Sequence, residues 1–329
     1  MDIFKDKIIL ITGGTGSLGR AVTRELLKKH KPHSIRIYSR DEWKQWQMRQ
    51  EFGDDMRLRF LIGDVRDSER LRRATEGVDF VIHAAALKQV PICEYNPIEA
   101  VRTNVDGAVN VINAALDNNV KKVIAVSTDK AVHPVNIYGA TKFAAERLFV
   151  QSNSYRGAKR PTSFAVVRYG NVLGSRGSVV PLFLEQRKIG RLTITDERMT
   201  RFWITMPEAV FLVLSSFEIM RGGELFVPKI PSMKLVDLAR TIAPRAKLKI
   251  VGIRPGEKIH EALITRDEGR LTYDLGDRYV IFSDSLPGWR KSLSEYRSAV
   301  PVVRDFEYNS LDNPEYVAPA GMKKLLKIV

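Results

Sequence analysis

Short apolar, β-branched runs alternate with amphipathic stretches through the first half of the chain. Residues 7–12 form the first such run and predict a buried strand, followed by a glycine-rich turn at 13–19 and a helical pattern through 29. Residues 35–38, 59–62, 78–82, 122–126 and 164–168 predict five further strands, and 98–116 and 138–152 predict long helices between them. This alternation implies an α/β fold with a doubly wound parallel sheet, in which ligands bind at the carboxyl ends of the strands. Beyond Asn171 the pattern loosens. Residues 174–178 read as a loop, 179–190 as a helix, and 201–205 and 224–228 as late strands returning to the sheet. The expected division is a nucleotide-binding domain at 1–172 plus 202–232, and a smaller, mainly C-terminal substrate lobe at 173–201 plus 233–329.

Composition narrows the class. A chain of 329 residues, 44% hydrophobic and 28% charged, suits an ordinary globular protein with one large unit and a smaller lobe. The single cysteine, Cys93, excludes an internal disulfide and suggests a reducing compartment, so a cytoplasmic protein is expected. Core packing is favoured for its thiol. The histidines (His30, His33, His83, His133, His260) lack metal-ligand spacing, so no metal site is expected, and His83 reads as a structural strand end. No apolar run reaches membrane-spanning length, and no membrane partner is expected. The net charge of +15 comes from scattered residues without a helix-turn-helix, finger or RNP signature. No nucleic-acid partner is expected; the excess charge suits an anionic substrate or a phosphorylated cofactor.

Gly13-x-x-Gly16-x-x-Gly19 follows a strand and opens a helix. Glycines there let the backbone approach a pyrophosphate lying on the helix N-terminus, and Thr15, Ser17 and Leu18 share the turn. At the end of the second strand, where an NAD-binder usually places an acid for the ribose, stand Ser39 and Arg40, with Lys44 a turn later. A hydroxyl and two cations suit a 2′-phosphate, so NADP is expected. The alternative leaves both cations solvated and gives the ribose to Asp41. Asp64, followed by Val65, is placed to meet the adenine amino group or to cap a turn. Trp43 and Trp46 could flank the adenine, with packing favoured.

Residues 126–142 carry the densest chemistry. Tyr138 and Lys142 form a Y-x-x-x-K pair, one helical turn apart on one face. An ammonium near a phenol favours the phenolate and lowers its pKa towards a useful base. The Thr128 hydroxyl suits the same substrate oxygen, and Asp129 and Lys130 add a second acid/base pair. Lys130 must be neutral to act as a base. Burial and Lys142 would lower its pKa and an ionised Asp129 would oppose this, so a coupled pair is expected.

The glycine triplet, Asp64, the run Ala84, Ala85, Ala86, then Thr128 and Tyr138-x-x-x-Lys142 together resemble the extended short-chain dehydrogenase/reductase superfamily, a Rossmann-type fold, over most of the chain. Residues 38–42, 83–91, 127–130, 199–205, 226–231 and 254–258 narrow the resemblance to the C5-inverting UDP-N-acetylglucosamine 4,6-dehydratases, which open the pseudaminic-acid pathway. The resemblance implies a redox-neutral dehydration. Tyr138, with Thr128 and Lys142, would take the C4 hydroxyl proton during hydride transfer to NADP; Lys130 would take the C5 proton; Asp129 would protonate the departing C6 hydroxyl. It further implies diphosphate contacts from Arg201 and Arg254, a phosphate contact from Asn171, and a cofactor- and sugar-side contact from Lys88. Ala85 and Ala86 fall on the cofactor side, and Ser178, Val179 and Glu257 on the substrate side. It also implies a homo-oligomer, at least a dimer through helices 98–116 and 138–152, and possibly a hexamer. The competing readings are a UDP-sugar 4-epimerase and an NADP-sensing regulatory module.

Overall fold

The apolar runs assemble into a ten-stranded sheet in the computed structural model, which describes residues 2–155, 157, 161–175 and 177–326. Strands β1 (Ile8–Thr12), β2 (Ser34–Ser39), β3 (Leu58–Ile62), β4 (Phe80–His83), β5 (Lys122–Thr128) and β6 (Ser163–Tyr169) run parallel in the order β3-β2-β1-β4-β5-β6. Phe164 to Tyr169 are buried without alternation, because helices cover both faces of a parallel sheet. The connecting helices are α1 (Ser17–Lys29), α2 (Glu42–Phe52), α3 (Ser68–Thr75), α4 (Val90–Tyr95), α5 (Pro97–Val101), α6 (Gly107–Asp117) and α7 (Ile137–Gln151). The strand order reverses between β1 and β4, which opens a crevice at their carboxyl ends.

Three features differ from the sequence expectation. The helix expected over 98–116 is two helices joined by one π-helical turn, Arg102–Asp106, a form found mostly as single bulges at functional sites. Thr200–Ile204 does not return to the main sheet. It pairs with Ser232–Lys234 and Asn171–Val172 in a separate three-stranded sheet, because Leu225–Pro228 takes the place beside β6. Conversely, Thr272–Asp274, Arg278–Ile281 and Val300–Pro301, expected in the smaller lobe, extend the main sheet in antiparallel fashion. Strands this short carry little periodicity for a sequence to reveal.

The smaller lobe has its own core, in which helix α8 (Val179–Ile189) packs Val180 and Phe183 near Trp203, Met233 and Leu238. Among the described residues, no helix is long and apolar enough to cross a membrane, and no group of three metal-ligating side chains comes together.

Candidate active site

A cavity of about 1110 Å³ runs from the glycine-rich turn to the smaller lobe. Gly13 sits at its base with φ +66°, and a Cβ there would lie 2.8 Å from the Ala85 nitrogen. The glycine therefore lets the β1 turn touch the segment after β4. Thr15, Gly16, Ser17, Leu18 and Gly19 line the same end. The N-terminus of α1 has no acidic residue in its first turn and no side-chain cap, so its amides are open to an anion. These residues fit the pyrophosphate of a dinucleotide.

At the nucleotide end the wall includes Ser39, Arg40, Lys44, Asp64 and Val65. Each cation faces a carboxylate: Arg40 lies 3.6 Å from Asp64, and Lys44 lies 2.6 Å from Asp41. Asp41 also caps α2, accepting from the Lys44 amide at 2.9 Å. Asp64 is held mainly by Arg66, at 2.7 Å and 2.9 Å. Ser39 Oγ accepts from Gln45 at 3.1 Å. Trp43 and Trp46 do not pack inside. They are 60% and 51% exposed and stacked on each other with centroids 4.8 Å apart, on a helix whose buried side faces β2 through Gln45 and Met48.

At the catalytic end, Thr128, Lys130, Tyr138, Lys142, Ala85, Ala86 and Lys88 line the cavity, whereas Asp129 is wholly buried behind its wall. A short turn after β5 places the pair: Thr128 Oγ1 donates to Asp129 Oδ1 at 3.0 Å, and Lys130 Nζ donates to the same oxygen at 2.9 Å. Lys130 also reaches Asn171 Oδ1 at 3.4 Å and Glu261 at 3.5 Å. The expected lowering of the Lys130 pKa is not found. Burial disfavours its ammonium, but Asp129 and Glu261 outweigh burial and hold it protonated. The Tyr138 phenol also departs from expectation. Burial pushes it up to about 12, while the Lys130 charge and a Thr128 hydrogen bond pull the other way. Lys142 Nζ donates to the Val126 carbonyl at 2.7 Å, and burial brings Lys142 itself down to about 8. Burial and the Lys130 charge lower Lys88.

On the substrate side, Asn171, Ser178, Val179, Arg201, Arg254 and Glu257 all line the cavity. Ser178 is the N-cap residue of α8, so that helix start faces the opening. The two arginines differ. Arg201 is 9% exposed, and its guanidinium donates to the carbonyls of Thr200 at 2.8 Å, Lys258 at 2.9 Å and Ile259 at 3.0 Å. Arg254 is exposed, and among the described residues its guanidinium has one ion-pair approach, to Glu257 at 4.0 Å. Its guanidinium is the freer phosphate donor of the two.

A model of the polysaccharide biosynthesis protein family matches residues 9–283. The chain belongs to that family. Its large parallel sheet has the same fold as the dTDP-glucose 4,6-dehydratase DesIV of Streptomyces venezuelae, with a TM-score of 0.71 and 20% identity over 98% of this chain and 96% of that one. It is 53% identical to the UDP-N-acetylglucosamine 4,6-dehydratase (inverting) of Campylobacter jejuni serotype O:2, across 99% of this chain and 98% of that protein. It is 46% identical to a UDP-glucose 4-epimerase of Rickettsia canadensis, across 92% and 91%. Among solved structures it superimposes on Pen from Bacillus thuringiensis with a TM-score of 0.91 and 38% identity, over 99% of this chain and all of that one.

Three residues that shape this family site stand outside the motifs. Glu261 faces Lys130 across the cavity wall. Asn104, in the π turn, accepts from the Leu87 amide at 2.8 Å and donates to the Leu87 carbonyl at 2.9 Å and Thr141 at 3.0 Å. It thereby ties the segment before Lys88 to α7. Asn136 caps α7 through the Gly139 amide at 2.7 Å and holds the Gly256 carbonyl at 2.7 Å. Only Asn136 carries a sequence signal, an N-cap residue type just before a helical run. His83 is structural: it is 1% exposed, lies 2.8 Å from Thr12 Oγ1, and burial pushes it down to about 3.

Proposed function

We infer that the chain is an inverting UDP-N-acetylglucosamine 4,6-dehydratase, forming a UDP-4-keto-6-deoxy sugar by a redox-neutral loss of water. The observation that carries this reading is the Asp129–Lys130 pair, 2.9 Å apart, at the same cavity end as Tyr138 and Lys142. An epimerase needs one proton-transfer group at C4; elimination across C5 and C6 needs two more. The glycine cradle would hold the cofactor pyrophosphate. Arg40 and Lys44 favour NADP over NAD, since Asp41 is already committed to the α2 cap. When bound, the nicotinamide supplies hydride uptake from C4 and its return to C6.

The protein's own groups handle the protons. Tyr138, as a phenolate stabilised by the Lys130 charge and Thr128, accepts the C4 hydroxyl proton. The resulting ketone acidifies C5. A proton shift from Lys130 to Asp129 along their 2.9 Å contact leaves an amine and a carboxylic acid at once. The amine takes the C5 proton as the C5–C6 double bond forms, and the Asp129 proton goes to the C6 hydroxyl, which leaves as water. Because Asp129 is wholly buried, the Thr128 hydroxyl at 3.0 Å is its link to the cavity. Reprotonation of C5 on the opposite face gives the inverted sugar. Arg254 and the start of α8 would hold the UDP diphosphate, with Glu257 on the same substrate side and Asn171 beside Lys130. The product fits entry into pseudaminic-acid synthesis.

The 46% identity to a UDP-glucose 4-epimerase favours the second reading, a C4 epimerase. Mass spectrometry of the product from UDP-N-acetylglucosamine separates the two. Loss of one water is expected; a C4 epimer of unchanged mass would overturn the dehydratase reading.

A further inference from the structure

Glu261 is buried to 3% exposure at the cavity wall, and nothing in the dehydration chemistry derived above uses it. Its carboxylate lies 3.5 Å from Lys130 Nζ, 3.0 Å from Lys258 Nζ and 3.8 Å from Arg201 Nε. Its backbone is fixed from a distant segment: its amide donates to Ser310 Oγ at 2.9 Å, and its carbonyl accepts from the Ser310 amide at 2.8 Å. Lys258 in turn donates to the Val132 carbonyl at 2.8 Å, just past the Asp129–Lys130 turn. The carboxylate therefore stands on a braced strand end and meets the tip of a flexible side chain. A lysine has four rotatable carbons and no preferred direction of its own, so a partner must aim it.

We propose that Glu261 is a positioning residue for Lys130, holding Nζ at the cavity wall and opposing loss of its proton until substrate is bound. The proposal rests on the dehydration reading, in which Lys130 is the C5 base. Lys130 is then held between two carboxylates, Asp129 on its own turn and Glu261 from the segment that follows Arg254 and Glu257. The other charged or titratable groups near it are Arg201, Lys88 and Tyr138. Two carboxylates keep the resting site from holding an unpaired buried cation, while Asp129 alone lies in the proton path. An opposite charge within about 4–6 Å stabilises the charged form by roughly one to three pKa units. Removing the Glu261 charge should thus let Lys130 become an amine at lower pH.

The test is the pH profile of kcat for dehydration of UDP-N-acetylglucosamine in Glu261→Gln and Glu261→Asp. In the Gln variant the limb that reports Lys130 deprotonation should move about one unit or more to lower pH. In the Asp variant the charge remains, so the limb should stay at the wild-type pH while kcat falls severalfold and KM holds. A Gln variant with an unmoved limb would overturn the role of Glu261. Should the Gln variant fail to fold, the Asp variant decides: a wild-type kcat, or a limb displaced with the charge still present, overturns it. A wild-type protein that dehydrates no UDP-N-acetylglucosamine would instead overturn the proposed function.

Discussion

In the proposed mechanism Lys130 is an ammonium at rest and an amine at the moment of reaction. Its 2.9 Å contact with a wholly buried carboxylate is what makes both states reachable by one proton shift. Replacing it with alanine should slow C4 oxidation, since Tyr138 loses a stabilising charge, but leave it visible as cofactor reduction in a single turnover, while dehydration falls by about 10²–10⁴-fold, the usual worth of a general base. Normal dehydration by Lys130→Ala would remove Lys130 from the mechanism. Tyr138→Phe should abolish even the first-turnover reduction signal, since no group then accepts the C4 proton. At this scale the motif residues were legible because Thr128, Asp129, Lys130, Tyr138 and Lys142 lie within one short stretch of chain. Their charges were not. Burial of Tyr138, the turning of Lys142 to the Val126 carbonyl, and the arrival of Glu261 from a distant segment are products of tertiary packing.

At the scale of elements, the site depends on joints between segments far apart in sequence. Asn136 is one, binding the start of α7 to the loop that carries Arg254 and Glu257. The joint is tight: a Cβ on Gly256, whose φ is +79°, would lie 2.9 Å from the Asn136 Cβ. Asn136→Ala should cost about 1 kcal/mol of stability through the lost cap. It should also weaken UDP-sugar binding more than cofactor binding, because the loop is released and the glycine turn is not. Thermal melting together with separate titrations of UDP and NADP checks this; equal weakening of both would contradict the joint. The parallel strands and their helices were legible from periodicity, since each buries a continuous apolar run. The π turn was not, because it inserts into a helix without changing its composition. Neither was the main-sheet membership of Thr272–Asp274 and Arg278–Ile281, strands too short to show a period.

At the scale of the whole molecule, α4 and α5 leave Ile92, Tyr95 and Ile98 at 56%, 87% and 65% exposure, with Val101, Val109 and Phe143 partly exposed on α5, α6 and α7. Large exposed apolar groups clustered on neighbouring helices mark an interaction surface. We propose that a second copy of the chain covers this face, as expected for helices 98–116 and 138–152. Light scattering should then find at least a dimer of the 37.3 kDa chain, and Ile98→Asp should shift it towards monomer. A wild-type 37.3 kDa species at micromolar concentration would contradict the pairing. The proposed reaction is inversion at C5 during loss of water. Its most direct test is NMR of the product formed from UDP-N-acetylglucosamine in deuterated water. A 4-keto-6-deoxy sugar with inverted C5 configuration and solvent deuterium at C5 is expected; retained configuration with protium at C5 would contradict inversion.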